Sequence, residues 1–374
     1  MAADQRIDGS LSLYRQFDVG YAIDLDRATE LLGSSTRGRA RPVRFEARAI
    51  QIRNPPVVVA LGDCALTIDE VERRGALAAH IFEFGVCSLQ LEVDIPSATT
   101  WSAFVEFAAA LDASPETPAL FERELNALLR RMDAAIERRD VAPLFEDYKL
   151  YRIDRVMIDS RPAGGAVSPL FPDVQLASLL IGEPRPVSAA TLRELLPYRF
   201  SYHDDDLTVL SWDAALVVEP RVDDHDVEYV LEFANAQLLE LRVYDQQLEA
   251  ELPALYDRVE AVRGSARLRL TGKFREVISE LQTRVADITE TVERVENALK
   301  VTNDVYLARI YAAALELFRE RAWRRGIKRK LRILRDTYAM LNDEAQASRM
   351  ELLEIMVVLL IFAEIALAVL YGHV

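Results

Sequence analysis

Residues 352–371 read LLEIMVVLLIFAEIALAVLY. A helix needs about 20 mainly apolar residues to cross a hydrocarbon core, and this stretch has that length. Its charged members are Glu354, near one end, and Glu364, well inside. A basic run precedes it (Arg324, Arg325, Lys328, Arg329, Lys330, Arg332, Arg335), and Gly372, His373 and Val374 follow. The positive-inside rule puts that flank, and the bulk of the chain, in the cytoplasm. The expectation is a C-terminal tail anchor: a single pass through the cell's inner membrane with a cytoplasmic N-terminus. A carboxylate at mid-bilayer costs about 2.5–3.5 kcal/mol, so Glu364 would face a partner helix while Glu354 reaches the interface. The alternative is a buried core helix in a soluble oligomer, and the two glutamates keep it open.

Two heptad runs lie upstream. The first is Val227, Leu231, Ala234, Leu238, Leu241, Asp245, Leu248, Leu252, Leu255, Val259, Val262; the second is Phe274, Ile278, Leu281, Val285, Ile288, Val292, Val295, Leu299. Sustained four-three spacing is the pattern of a coiled coil. The intervening RGSARLRLTGK holds Gly264 and Gly272, both helix breakers. The simplest geometry is an antiparallel helical hairpin with arms of about 55–60 Å at 1.5 Å per residue. After Leu299 the stripe passes to Asn303, Leu307, Ile310, Ala314 and Leu317, a four-residue stutter. Asp245 and Asn303 sit on seam positions, where a polar residue sets register or oligomer state, while Pro253 should kink its helix. Asp245 reads as paired to an Arg or Lys of a neighbouring helix, or else as a site residue. Arg263, Arg267, Arg269, Lys273 and Arg275 gather at the hairpin tip, either as a solvated loop or as a patch for an anionic partner such as RNA or lipid.

Ahead of the hairpin the pattern is mixed. Strands are expected at 43–52, 56–60, 77–84, 86–95, 148–158 and 214–218, and helices at 101–111, 118–136 and 191–196. Thr117 can cap the middle helix, with Pro118 in its first turn and Phe121, Leu125, Leu128, Leu129, Met132 and Ile136 on one face. Phe84-Gly85-Val86 reads as a bulge or tight turn. Strands with interspersed helices and no βαβ rhythm favour an α+β class. The organisation is therefore a mixed α/β head at 1–220, a helical hairpin at 221–325, and a basic helix at 326–374 leading into the span.

Composition limits function. The 374-residue chain carries a net charge of −15, which disfavours a general nucleic-acid binder. Cys64 and Cys87 lie in apparently strand-like sequence with no histidine nearby, so they read as small hydrophobes in a reducing compartment. The opening MAADQRIDGS is polar and has no targeting character. No phosphate loop, dinucleotide fingerprint, nucleophile elbow or zinc spacing occurs. His203, Asp204, Asp205 and Asp206 form one acidic-histidine cluster, and Asp223, Asp224, His225 and Asp226 form another. Together they could ligate a divalent cation. The simpler reading is a solvated turn for the first and a helix cap for the second.

Three segments carry a resemblance. HIFEFGVCSLQLEV, LEFANAQLLELRVYDQQL and LNDEAQASRMELLEIMVVLLIFAEIALAV resemble, in turn, the glycine-centred double strand, the first helix after the α/β domain and the C-terminal pattern of the "required for meiotic nuclear division" family. The resemblance spans about residues 40–374. It implies an oligomeric membrane scaffold, one that in organellar members supports translation, and no catalytic residues carry over. The combined expectation is a non-enzymatic, membrane-anchored homo-oligomeric scaffold without cofactor or metal. Its partners would be the lipid bilayer and an unidentified protein. The alternatives are a tether for ribosomes or RNA, and a metal-dependent enzyme built on the acidic-histidine clusters.

Overall fold

SLSLYRQF, residues 10–17, alternates in character along the chain, and in a strand that alternation becomes two faces. The segment belongs to β1 (Gln5–Asp18), which is flanked on both sides by antiparallel partners. On one side lies β7 (Val86–Asp94), followed outward by β6 (Val71–Ile81), β5 (Val57–Ile68) and β3 (Thr36–Arg39). On the other lies β10 (Phe145–Ile158), followed by β14 (Ala214–Val218), β13 (Leu207–Leu210) and β12 (Tyr198–Phe200). The β10–β14 pair is parallel and the other pairs along this path are antiparallel. Short strands β8 (Thr99–Thr100) and β11 (Arg161–Pro162) pair with β1 and β10, making this sheet eleven-stranded among the described residues. This computed structural model describes residues 5–33, 36–39, 50–52, 54–159, 161–182, 187–221, 223–263, 279, 283, 286, 289, 299–301 and 305–371.

One face of the sheet is apolar. Leu11, Leu13, Leu77, Ala79, Ile81, Cys87, Leu89, Leu91, Tyr151 and Ile153 are buried against α2 (Trp101–Asp112) and α3 (Glu116–Met132). Phe104 of α2 meets Tyr151 edge-on at 5.9 Å, and α3 contributes Phe121, Leu125, Leu128, Leu129 and Met132. Thr100 caps α2 by accepting from the Ala103 amide, and Asp24 caps α1 (Leu25–Leu32) by accepting from Asp26 and Arg27. The middle helix departs from expectation at its start. It begins at Glu116, so Thr117 lies inside the first turn and makes no cap. Pro118 is tolerated there because first-turn amides need no helical acceptor.

The other face carries Ser10, Ser12, Tyr14 and Gln16 from β1, Ser88 and Gln90 from β7, His80 from β6 and Arg152 from β10. It is covered by the first half of α6 (Asp226–Arg263), a 38-residue helix. From Val227 to Leu241 that helix is almost wholly buried, polar residues included. Helix α7 (Val305–Leu317) packs nearby, with the Tyr306 hydroxyl 3.2 Å from that of Thr208 and Tyr311 ring-to-ring with Phe233. The α+β class holds: a large mixed sheet at the N-terminal end and helices at the C-terminal end.

Two compact units result, Met1–Val243 with Arg294–Arg321 and Tyr244–Glu293 with Ala322–Val374. In the second, the latter part of α6 adjoins α8 (Glu320–Tyr371), a 52-residue helix, through Lys330, whose ammonium lies 2.9 Å from Asp245 Oδ1. Most of the second heptad run lies outside the described residues. Its last position, Leu299, is in a short strand, Leu299–Val301, where it pairs with Ile52.

The tail anchor is overturned. Among the described residues no helix is long and apolar enough to cross a membrane. The stretch 352–371 continues α8, and an ionisable carboxylate within such a length costs about 2.5–3.5 kcal/mol at mid-bilayer. Glu354 and Glu364 fall within that length. The transmembrane helix at 352–371 and the single-pass inner-membrane location are withdrawn with it.

At the β6–β7 turn Gly85 has φ +100°, and a Cβ there would stand 1.9 Å from the carbonyl oxygen of Gly20. The turn is closed by Phe82 N donating to Val86 O at 2.9 Å, and Val19 N donates to Gly85 O. Gly85→Ala should therefore cost about 3 kcal/mol or more, read as a lowered urea midpoint at unchanged slope.

Candidate functional site

The end of α8 differs from its beginning. Early in the helix Ile327, Leu331 and Leu334 are buried at helical spacing, as one stripe. From Ile355 to Phe362 every consecutive residue is apolar and exposed, ranging from 45% at Met356 to 69% at Leu360. Successive residues advance about 100° around a helix, so this surface is apolar on all sides. Contiguous apolar surface of that kind marks an interaction site. Glu354 and Glu364 are exposed on the same segment.

The other sequence-designated residues separate. Asp245 is bonded to Lys330, which also reaches Glu249 at 3.4 Å. Asn303, Arg267, Arg269, Lys273 and Arg275 lie outside the described residues, as does the side chain of Arg263. In the first acidic-histidine cluster, Asp206 is buried and accepts from the Tyr202 and His203 amides at 2.7 and 3.0 Å, closing a turn. In the second, Asp224 accepts from the Asp226 amide and pairs with Arg221 at the start of α6. Among the described residues no group of three His, Cys, Asp or Glu could hold a metal ion.

A buried polar layer between the sheet and α6 went unseen in the sequence. Arg152 is 4% exposed; its Nε donates to Asp154, and its terminal nitrogens donate to the Glu228 carboxylate and to the carbonyls of Asp224 and Arg221. One helical turn on, Glu232 bonds His80 Nδ1 at 2.6 Å, and Gln16 donates to the Glu232 carbonyl at 2.9 Å. Gln16, Ser88 and His80 stand directly opposite one another across β1, β7 and β6. Farther along α6, Arg242 pairs with Glu146. Burial lowers the His80 pKa, but the Glu232 carboxylate outweighs it, leaving the imidazole above its ordinary value. The missed signal was the pair of glutamates four residues apart in the helix, Glu228 and Glu232, together with His80 near the end of the otherwise small and apolar run GALAAHI.

Residues 8–225 match the family described as "Uncharacterized protein MJ0711, N-terminal domain". The chain belongs to this family. A protein of Methanocaldococcus jannaschii, described as "Uncharacterized protein MJ0711", is 26% identical over 197 residues, covering 52% of this chain and 58% of the relative. The chain thus matches under two thirds of that relative's length. No solved structure matches it. The resemblance to the "required for meiotic nuclear division" family is overturned by the MJ0711 match. Its three segments are a glycine-turned hairpin, a heptad helix and an apolar run, patterns that recur wherever such elements form. The matched residues hold the sheet from Asp8 onward, His80 and Arg152 included, while Glu228 and Glu232 lie just beyond them.

Arg152→Met should strand the Glu228 carboxylate and lower unfolding stability by about 3–5 kcal/mol in urea titration. A His80 pKa raised in the fold gives stability fully present below the unfolded value of about 6.5 and lost as pH rises through the folded value. His80→Gln should flatten that decline when urea midpoints are compared from pH 5 to 9.

Proposed function

We propose that the protein is a non-enzymatic oligomeric scaffold, held together by the last described turns of α8. The α+β head binds a protein partner, and the heptad-patterned helices, arranged as a hairpin, set the spacing between heads. The observation that carries this reading is the run of exposed apolar side chains from Ile355 to Phe362. A single flat partner would cover one side of that helix. A bundle of identical helices covers every side at once, which is why a further copy of the chain is the favoured occupant. Covering the exposed apolar side chains between Leu353 and Leu367 is worth on the order of 10 kcal/mol per chain, enough to offset the cost of association. Glu354 and Glu364 enter such a bundle as polar positions that select its size, as polar residues do in coiled-coil seams.

The ribosome or RNA tether draws on the hairpin-tip residues, which lie outside the described residues. The metal-dependent enzyme draws on clusters whose carboxylates close turns and cap a helix. Neither has an observation in its favour.

Light scattering coupled to size exclusion on the full chain tests the scaffold. An assembly of three or more copies is expected, falling to smaller species in Leu360→Glu while far-UV circular dichroism is retained. A monomeric parent at tens of micromolar, or an assembly indifferent to Leu360→Glu, would overturn it.

A further inference from the structure

On the apolar side of the sheet, a cleft of about 240 Å³ opens between the end of α2, the first turns of α3, strands β1 and β10, and the β13–β14 turn. Leu13, Pro118 and Phe121 supply apolar walls. The charged lining is Arg15, Lys149, Asp112, Asp147 and Asp213, so two cations face three carboxylates and one negative charge is left over.

The arrangement of these charges decides what the cleft attracts. The Arg15 side chain is only 13% exposed and makes two parallel bonds of 2.7 Å to Asp147, with its guanidinium 4.3 Å from the Phe145 ring centroid. Lys149 is 23% exposed and lies 3.1 Å from Asp112 and 3.4 Å from Asp213. Their three carboxylate partners are about half exposed. The cations are therefore tucked behind as internal counter-charges, and the groups that meet solvent are acids. The opposing influence is the amino end of α3, worth about half a positive charge, which is smaller than the single surplus negative charge. A second observation lies in the cleft wall. Thr117 lines the cleft, is 7% exposed, and its hydroxyl has no hydrogen-bond partner among the described residues. A buried hydroxyl without a partner costs free energy that a ligand's donor or acceptor would recover.

We infer that this cleft binds a small organic ammonium ion, its nitrogen held by Asp213 and Asp112 and its carbon chain lying on Leu13, Pro118 and Phe121. Rotation of the Thr117 side chain turns its sealed hydroxyl toward the ammonium, from which it accepts a hydrogen bond. This site is independent of the self-association at the end of α8.

The test uses the full chain and three probes of similar shape, n-butylammonium, 1-butanol and butyrate, followed by saturation-transfer NMR and calorimetry. Only n-butylammonium should saturate, at about 1 mM, and its affinity should weaken in 0.5 M salt. Asp213→Asn should weaken it about fivefold; Asp112→Asn, on a different element, should act alike and stands in if the first variant does not fold. Thr117→Val should weaken binding about threefold while leaving the protein at least as stable as the parent, a pairing that a purely structural hydroxyl would not give. Butyrate or 1-butanol binding as tightly as the amine would overturn the inference, as would no saturable amine binding or indifference to both aspartate substitutions.

Discussion

Arg152 is where the head is closed. Its guanidinium comes from the middle of a sheet, reaches across to the first turn of α6, and ties down the Glu228 carboxylate and the loop carbonyls before it. A buried guanidinium is tolerated only when its donors are answered, and here they are answered by the helix start, the loop before it and Asp154 of its own strand. That requirement fixes where α6 begins and which way its glutamates face. The next turn then brings Glu232 to His80, and a few turns later Arg242 meets Glu146. Ion pairs of this kind contribute less to net stability than to the choice of one docking position over its neighbours, since a slip of one helical turn would leave buried charges unpaired.

The apolar side follows the commoner rule of volume and shape. Phe104, Phe121, Tyr151 and the leucines of β7 fill the space under α2 and α3 with no charge in the shared interior. The two faces of one sheet are thus stabilised differently, one by area removed from water and the other by matched polar groups. Charged side chains return at the margin of the apolar side, among them Arg15 and Lys149, which lie beneath Asp147, Asp112 and Asp213.

Much of this could be read from the sequence where a single physical signal dominated. The helices at Trp101–Asp112 and Glu116–Met132 have apolar faces at helical spacing, and β7 and β10 are rich in strand-forming side chains. Gly85 announced its turn because its surroundings admit no side chain. Strand β1, at the centre of everything, was not among the expected strands: the opening MAADQRIDGS read only as polar, although the SLSLYRQF that overlaps its end alternates in character as a strand with one polar face must. The buried layer was illegible for a related reason. A glutamate that ends up beneath a sheet looks in sequence like any solvated glutamate, and only the three-dimensional meeting of Glu232 with His80, 152 positions apart, distinguishes it. The apolar end of α8 misled in the opposite direction, because length and hydropathy alone do not say what will cover a helix.

The wettable underside of the sheet has a consequence for how the chain is made. Synthesis runs from the amino end, so every strand of this sheet leaves the ribosome before α6 exists to cover it. A greasy face left bare for that interval would invite aggregation. A face lined with Ser10, Ser12, Gln16 and Ser88 can remain hydrated until its lid has been translated.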